Sequence, residues 1–325
     1  MLPNTHRRQL LTLGALALTP WAAHANWPQR PVRIVVPFAP GAGTDAMGRL
    51  LAQKLGELLG ASFVVENRAG ASGAIGTQHV AQSAPDGHTL LLIAAPFTTV
   101  AAVLPQAGYD PVRGFAPISM VAQGPLLWAC NKDLPVANLR ELIDYARSRP
   151  GRLNYGSAGA GGINHLALEG LKSRTGVFIT HIPYRGIAPA TLDLVAGQLD
   201  LITGTIPALA PFVRDGRIKA LAVSTPKRTP ALPDVPGMSE AGLADFSVNN
   251  YFGLVAPRGT PQAVIDRINE ALPRLLAAPD VQARFRADAL EPASLGATAL
   301  GQFLAQDFGS WQKVVAAQGI KLDSV

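Results

Sequence analysis

What most constrains the fold is a unit that recurs along the chain: a short apolar run, a loop rich in glycine or proline, then a helical pattern. Its first copy contains Val35-Val36-Pro37-Phe38-Ala39-Pro40-Gly41-Ala42-Gly43-Thr44-Asp45. Residues 33–36 read as a buried strand. Beyond the loop, Met47, Leu50, Leu51, Leu55, Leu58 and Leu59 recur on one face of a helix. A glycine-rich turn at a helix N-terminus leaves backbone N–H groups without intrahelical partners, at the positive end of the helix dipole. Such a place suits an anion. The loop carries no Lys, Arg or His, so an anion held here is held by backbone.

The unit repeats. Residues 62–66 lead to Asn67-Arg68-Ala69-Gly70-Ala71-Ser72-Gly73 and a helix marked by Ile75, Val80 and Ala81. Residues 89–94, fed by the Asp86-Gly87 turn, lead to Ala95-Pro96-Phe97-Thr98-Thr99. A Gly/Pro-containing connection, 108–114, then precedes an extended stretch, 118–130, broken by Gly124-Pro125. After a helix at 139–147 the grammar restarts. A strand at 153–155 feeds residues 156–162 and a helix at 164–175. A strand at 178–182 feeds 183–189 and a helix at 190–196, and residues 200–203 feed Gly204-Thr205-Ile206-Pro207 and a helix to Arg214. A strand at 218–223, a Pro-rich stretch at 225–245 and an extended run at 251–256 follow. Helices at 261–276, 279–287 and 297–317 close the chain.

Alternation of this length predicts an α/β fold with parallel sheets and right-handed crossovers. Two successive series of loops predict two lobes, with the loops gathered at the carboxyl edges of the strands, facing one another across a cleft. The expected division is 26–123 plus 246–325 for the first lobe and 124–245 for the second. The C-terminal helices are expected to pack back on the first lobe. One doubly wound domain with a long insertion is the alternative.

The first 25 residues read as an export signal: Arg7-Arg8, an apolar run from Leu10 to Leu18, then Ala23-His24-Ala25 before a cut ahead of Asn26. The paired arginines hint at twin-arginine export, while His6 leaves the ordinary secretory route open. The whole chain has 28 basic and 22 acidic residues; removing the leader removes Arg7, Arg8 and no acid, which lowers the excess from +6 to about +4. That excess forms no basic run, so neither nucleic acid nor an anionic membrane is an expected partner. The single cysteine, Cys130, cannot form an internal disulfide. No stretch after the leader is long and apolar enough to span a bilayer. No Gly-x-Ser-x-Gly elbow surrounds Ser157, and no metal-ligand spacing, P-loop or complete dinucleotide fingerprint occurs, so no cofactor, metal or catalysis is expected, and an exported α/β enzyme is the lesser alternative.

Taken in order, the motifs resemble the extracytoplasmic solute receptors of tripartite tricarboxylate transporters, the Bug type. They are Val36-Pro37-Phe38-Ala39-Pro40-Gly41 with Asp45, Gly70-Ala71-Ser72-Gly73 with Gly76, Pro85-Asp86-Gly87-His88-Thr89-Leu90, and Gly156-Ser157-Ala158-Gly159 with His165-Leu166. Pro183-Tyr184-Arg185-Gly186, Leu221-Ala222-Val223, Pro233-Asp234-Val235-Pro236, Glu240-Ala241-Gly242 and Phe252-Gly253-Leu254-Val255-Ala256-Pro257 continue the series. The resemblance spans the mature chain. It implies a periplasmic binding protein-like fold of type II, a Venus flytrap, that captures a small carboxylate for a membrane permease. A receptor that presents the solute to a membrane sensor is the alternative, and a monomer is expected. Family ligands include tricarboxylates, dicarboxylates, acidic amino acids and aromatic acids. Tyr251 stands where the family usually has Trp, and Gly204-Thr205 replaces a frequent aromatic-plus-Asp pair.

The expected ligand-binding residues of the first lobe are Phe38, Ala39, Gly41, Gly43, Thr44, Asp45, Ser72 and Thr98. Those of the second are Ser157, Gly161, His165, Tyr184, Arg185, Gly186 and Thr205. Gly41 and Gly43 let the backbone approach a carboxylate, or simply make a tight turn. Asp45 would repel an anion and is expected to cap a helix beginning at Ala46. Ser157 and Thr44 offer hydroxyls to ligand, water or turn. Arg185 is the natural fork for a second carboxylate, or pairs with a surface acid. Phe38 is expected to wall the cleft.

Overall fold

The computed structural model describes residues 27–41, 43–104, 106–184 and 186–320; the leader and Arg185 lie outside them. In the first lobe β1 (Val32–Val36) leads to α1 (Gly43–Leu59), and β2 (Phe63–Asn67) to a short 3-10 turn, Ala71–Gly73, and α2 (Ala74–Ala81). β3 (Thr89–Ala94) runs almost directly into α3 (Pro96–Val103). β4 (Phe115–Asn131) then enters the second lobe. There α4 (Leu139–Arg147), β5 (Asn154–Ser157), α5 (Ile163–Thr175), β6 (Thr180–Pro183), α6 (Ile187–Val195), β7 (Leu201–Thr205), α7 (Ile206–Arg214) and β8 (Ile218–Val223) follow. β9 (Asn249–Pro257) returns to the first lobe, which ends with α8 (Gln262–Ala277), α9 (Pro279–Ala287), β10 (Glu291–Pro292) and α10 (Gly296–Gln318).

The strands of each series are parallel, as the alternation predicts: β1 pairs β2 and β3, and β5 pairs β6 and β7. Antiparallel strands complete both sheets. β9 lies between β3 and β4, and the second half of β4 lies between β7 and β8. The pleat sorts the first sheet into two cores. Ile34, Val36, Leu90 and Leu92 join Leu51 and Leu55 of α1 in one, while Val35, Leu91 and Ile93 join the other.

Three sequence expectations need correction. Gly124-Pro125 does not break the strand. β4 runs through both residues because Pro125, paired with Asn249, is its last residue on β9, and Leu126, paired with Thr205, is its first on β7. A residue without an N–H is tolerated where a strand changes partner. Secondly, Ala95–Thr99 is not a cleft loop but the start of α3. Thirdly, the last helix does not rest on the first lobe alone: α10 packs on β4, on α3 and on α5 of the second lobe. The apolar cluster is accordingly continuous from Val35 and Leu91, through Tyr251 and the α10 residues Leu300, Leu304 and Trp311, to Trp128, Tyr155 and Leu168.

One polar group ties this packing together. Thr98 is fully buried; its hydroxyl donates to Asp307 Oδ2 of α10 at 2.5 Å and lies 3.0 Å from the Tyr251 hydroxyl of β9. Burial pushes Asp307 up to about 6, against the hydrogen bond from Thr98, which pulls it down. The folded value exceeds the ordinary carboxylate value of 3.8, so the folded state holds this proton more tightly than the unfolded chain. The resulting stability is complete below pH 3.8 and is lost as pH rises through about 6. Asp307→Asn should therefore gain on the wild type, by on the order of 2 kcal/mol, between pH 4 and pH 7. Parallel denaturant titrations across that range check this; a gap that does not move with pH refutes it.

Candidate functional site

The loop after β1 is shaped by side chains that sequence reasoning assigned to the ligand or overlooked. Gly41, at φ +84°, donates its N–H to Asp45 Oδ2 at 3.0 Å, and Arg49 Nε donates to the same oxygen at 3.0 Å. Asn67, at the end of β2, donates to Asp45 Oδ1 at 2.9 Å and to the Phe38 carbonyl at 3.1 Å. The Arg49 guanidinium, the Gly41 amide and Asn67 together hold the Asp45 carboxyl down at about 2. α1 begins at Gly43 and not at Ala46, so Asp45 sits inside its first turn and does not cap it from outside. It is a clamp on the loop. The correction reaches the anion seat as well. The Gly41 amide is committed to Asp45, so of the expected seat only the first-turn amides of α1, from Gly43 and Thr44 onward, remain. Ala39, Gly41 and Gly43 are exposed and Thr44 is half-buried.

Across the cleft, residues 157–162 are held by a buried stack. Gly161 donates its N–H to His165 Nδ1 at 3.1 Å, which fixes that ring as the neutral tautomer with its proton on Nε2. The His165 ring lies 4.0 Å from that of His181, and His181 lies 4.8 Å from Tyr155. His181 Nε2 stands 2.7 Å from Ser157 Oγ, which also accepts the Gly159 N–H at 3.2 Å. Beneath the stack the Tyr155 hydroxyl donates to Glu169 at 2.6 Å, and Lys172 pairs with the same oxygen. Burial is the main cause that lowers His165 to about 4 and His181 to about 3, with their neighbours' positive charge adding to it. Both imidazoles are thus neutral and structural. Ser157 is fully buried and turns its hydroxyl into its own loop.

The remaining expected residues divide. Tyr184 donates its hydroxyl to Asp193 at 2.7 Å and its N–H to the Ser157 carbonyl at 3.1 Å. Gly186, at φ 116°, is the N-cap of α6, and Thr205 is the N-cap of α7; neither forms a side-chain capping bond. Ser72, at φ 53°, faces the second lobe: a Cβ built on Gly159 would lie 3.7 Å from Ser72 Oγ and 3.7 Å from the Tyr184 carbonyl. The lobes therefore touch at this edge. Phe38 is half-buried, and a Cβ built on Gly73 would lie 3.3 Å from its ring. Thr98, expected at the ligand, is withdrawn from the cleft because Asp307 and Tyr251 occupy its hydroxyl.

Between the lobes lies a cavity of about 350 Å³. The α1 end supplies Gly41, Gly43, Ala46 and Met47; the crossing strands supply Gly124, Pro125, Asn250 and Phe252. Thr205, Pro207 and Ala208 come from the start of α7, and Arg284, Asp288 and Leu290 from the α9 end. The cavity thus unites Gly41, Gly43 and Thr205 from the expected set, whereas Ser157, Gly161, His165, Tyr184 and Gly186 do not line it. Asn250, Arg284 and Asp288 were not anticipated. The Asn249-Asn250 pair ahead of an extended run was a visible signal. Arg284 and Asp288, four apart, read only as a helix-surface pair.

Comparison with known proteins agrees with this architecture. The model of the tripartite tricarboxylate transporter family receptor matches residues 47–320. The chain belongs to that family. Protein BugT of Bordetella pertussis is 36% identical over 299 residues, covering 91% of this chain and 92% of BugT. Among solved structures, the periplasmic binding protein BugD superposes with TM-score 0.79 at 36% identity, over 91% of this chain and 99% of BugD. MatC from Rhodopseudomonas palustris with bound malate gives 0.79 at 34%, over 89% and 99%, and an R. palustris protein with adipate gives 0.81 at 37%, over 91% and 99%. The fold is the two-lobed α/β fold of periplasmic binding proteins. The family is one of non-catalytic periplasmic receptors that bind carboxylates.

Two outcomes test the loop clamps. Asp45→Ala leaves the Gly41 amide and Asn67 unpaired, and should cost about 2 kcal/mol in denaturant unfolding while weakening ligand binding. In the folded protein the two histidines stay neutral down to about 4 and about 3, whereas in the unfolded chain they take up protons at the ordinary value of 6.5. Because their folded values are lowered, their contribution is lost as pH falls below 6.5. His181→Phe keeps the stack and removes one titrating ring, so the variant should gain on the wild type as pH falls from 6.5 toward about 4. Stability measured over that range decides the matter, and a variant that loses ground toward acid contradicts the assignment.

Proposed function

We propose that this chain is exported by its N-terminal leader, captures a small carboxylate between its lobes, and presents that solute to a membrane permease. The observation that carries the reading is the meeting of two helix N-termini, α1 from the first lobe and α7 from the second, at one cavity. α1 brings first-turn amides from Gly43 onward and α7 those of Ile206 and Ala208, Pro207 having none, each with the positive end of a dipole, so an anion between them draws the lobes together. The Thr205 hydroxyl and the Asn250 amide add polar groups to the same wall. Its volume suits a small organic molecule. Further support comes from the relatives bound to malate and adipate, both dicarboxylates.

A thermal-shift screen of the mature protein against mono-, di- and tricarboxylates, acidic amino acids and aromatic acids tests the reading. A true ligand at a hundredfold excess over its Kd should add about 2.7 kcal/mol to stability. Stabilisation by a sugar or by phosphate, with none from any carboxylate, overturns it.

A further inference from the structure

The cavity between the lobes is lined by backbone and neutral side chains except at one point. Arg284 and Asp288, one turn apart at the end of α9, form its charged wall. They also line a second cavity of about 330 Å³ that continues outward along α1, so the pair stands where the inner space gives way to the outer. Arg284 donates from Nε to Asp288 Oδ2 at 2.6 Å, and its two terminal NH2 groups have no partner among the described residues. The other arginines of the adjoining cavities are committed elsewhere. Arg49, in the outer cavity, holds Asp45, and Arg228, in a cavity on the other side of Gly124 and Pro125, is forked onto Glu240.

An exposed ion pair at this spacing contributes only a few tenths of a kcal/mol, roughly 0.3–0.5, so stability gives little reason for an arginine here. A guanidinium with its forked end open is, in contrast, matched to a carboxylate. Asp288 does not cancel that match, since it occupies the Nε edge and leaves the terminal edge free.

We infer that Arg284 recognises the second carboxylate of a dicarboxylate whose first carboxylate sits at the N-termini of α1 and α7, and so sets the preference for dicarboxylates over monocarboxylates. The inference rests on the carboxylate-binding function proposed above. It adds Arg284, a residue the sequence gave no reason to choose, to Arg185, which the sequence suggests for this task and which lies outside the described residues.

Isothermal titration of the mature protein with matched pairs, succinate against butyrate, glutarate against pentanoate and adipate against hexanoate, tests it. The wild type should favour the best diacid over its matched monoacid by at least about tenfold, the value of one charge-assisted hydrogen bond. Arg284→Met should lose that preference by weakening diacid binding while monoacid binding stays within about twofold, and Arg284→Lys should retain part of it. Asp288→Asn, which removes a competing carboxylate, should tighten the diacid. A melting curve of each variant without ligand confirms folding. Arg284→Met that keeps the wild-type preference, or that weakens both acids equally, overturns the role of Arg284. Equal binding of mono- and diacids by the wild type, or binding of neither, overturns the inference alone, whereas the proposed function falls only if the wider carboxylate screen finds no ligand.

Discussion

The antiparallel pairing of β4 with β9 is the constraint on which the rest of the molecule depends. One strand leaves the first lobe and the other returns to it, and they lie side by side, with Gly124 opposite Asn250 and Pro125 opposite Asn249. Both crossings are therefore confined to one place at the carboxyl edge of the first sheet. Any opening of the lobes must bend this pair, and the loops at the two sheet edges are held face to face by it. Little side-chain volume is available at the crossing: a Cβ on Gly124 would meet the Ala289 carbonyl at 2.8 Å. Glycine lets the backbone pass there, and the crossing strands form the floor of the cavity.

Apart from Arg284 and Asp288, the charged and titratable groups described around the cleft are spent on holding loops. Asp45 gathers Gly41, Arg49 and Asn67; His165 and His181 secure Gly161 and Ser157; Tyr184 closes on Asp193. A backbone donor is useful only if it is already aimed when the ligand arrives, because ordering a flexible loop on binding would consume much of the interaction. The side chains most suggestive of ligand contact thus act one step back, and the groups left for an anion are amides at helix ends. This explains how loops without basic residues can serve an anionic solute. A buried anion needs hydrogen bonds and a favourable dipole more than it needs a full countercharge nearby.

Much of the architecture was legible because it is local. The strand, loop and helix of each unit lie within some thirty residues (roughly the span of a βαβ unit), and the glycine loops declare the sheet edge. Long-range choices were not legible. Nothing near Thr98 in sequence announces Asp307, 209 positions away, and the same holds for Asn67 at Asp45 or His181 at Ser157. Thr98 follows a strand and so reads as a cleft residue, but α3 starts at Pro96 and turns its hydroxyl into the core. The break expected at Gly124-Pro125 failed for a related reason: a proline's cost depends on which neighbour would have used its N–H, and that neighbour is set by topology. The arginine chosen from its motif, Arg185, lies outside the described residues, while Arg284, within an ordinary amphipathic helix, lines the cavity.

If backbone amides perform the part of recognition common to all carboxylates, discrimination must come from the side chains around them. In this cavity those are few. Thr205 and Asn250 supply hydrogen bonding, Met47, Phe252 and Leu290 supply apolar wall, and Arg284 with Asp288 supplies the charge. Apolar wall discriminates weakly, because one methylene more or less changes binding by only about 1–3 kcal/mol. A site built to pair a polar group rejects an analogue that lacks it far more strongly, since the protein's own donor is then left without a partner. Receptors sharing this backbone can therefore differ sharply in ligand through one or two polar positions at the cavity wall, with no change in the loops that hold the common carboxylate.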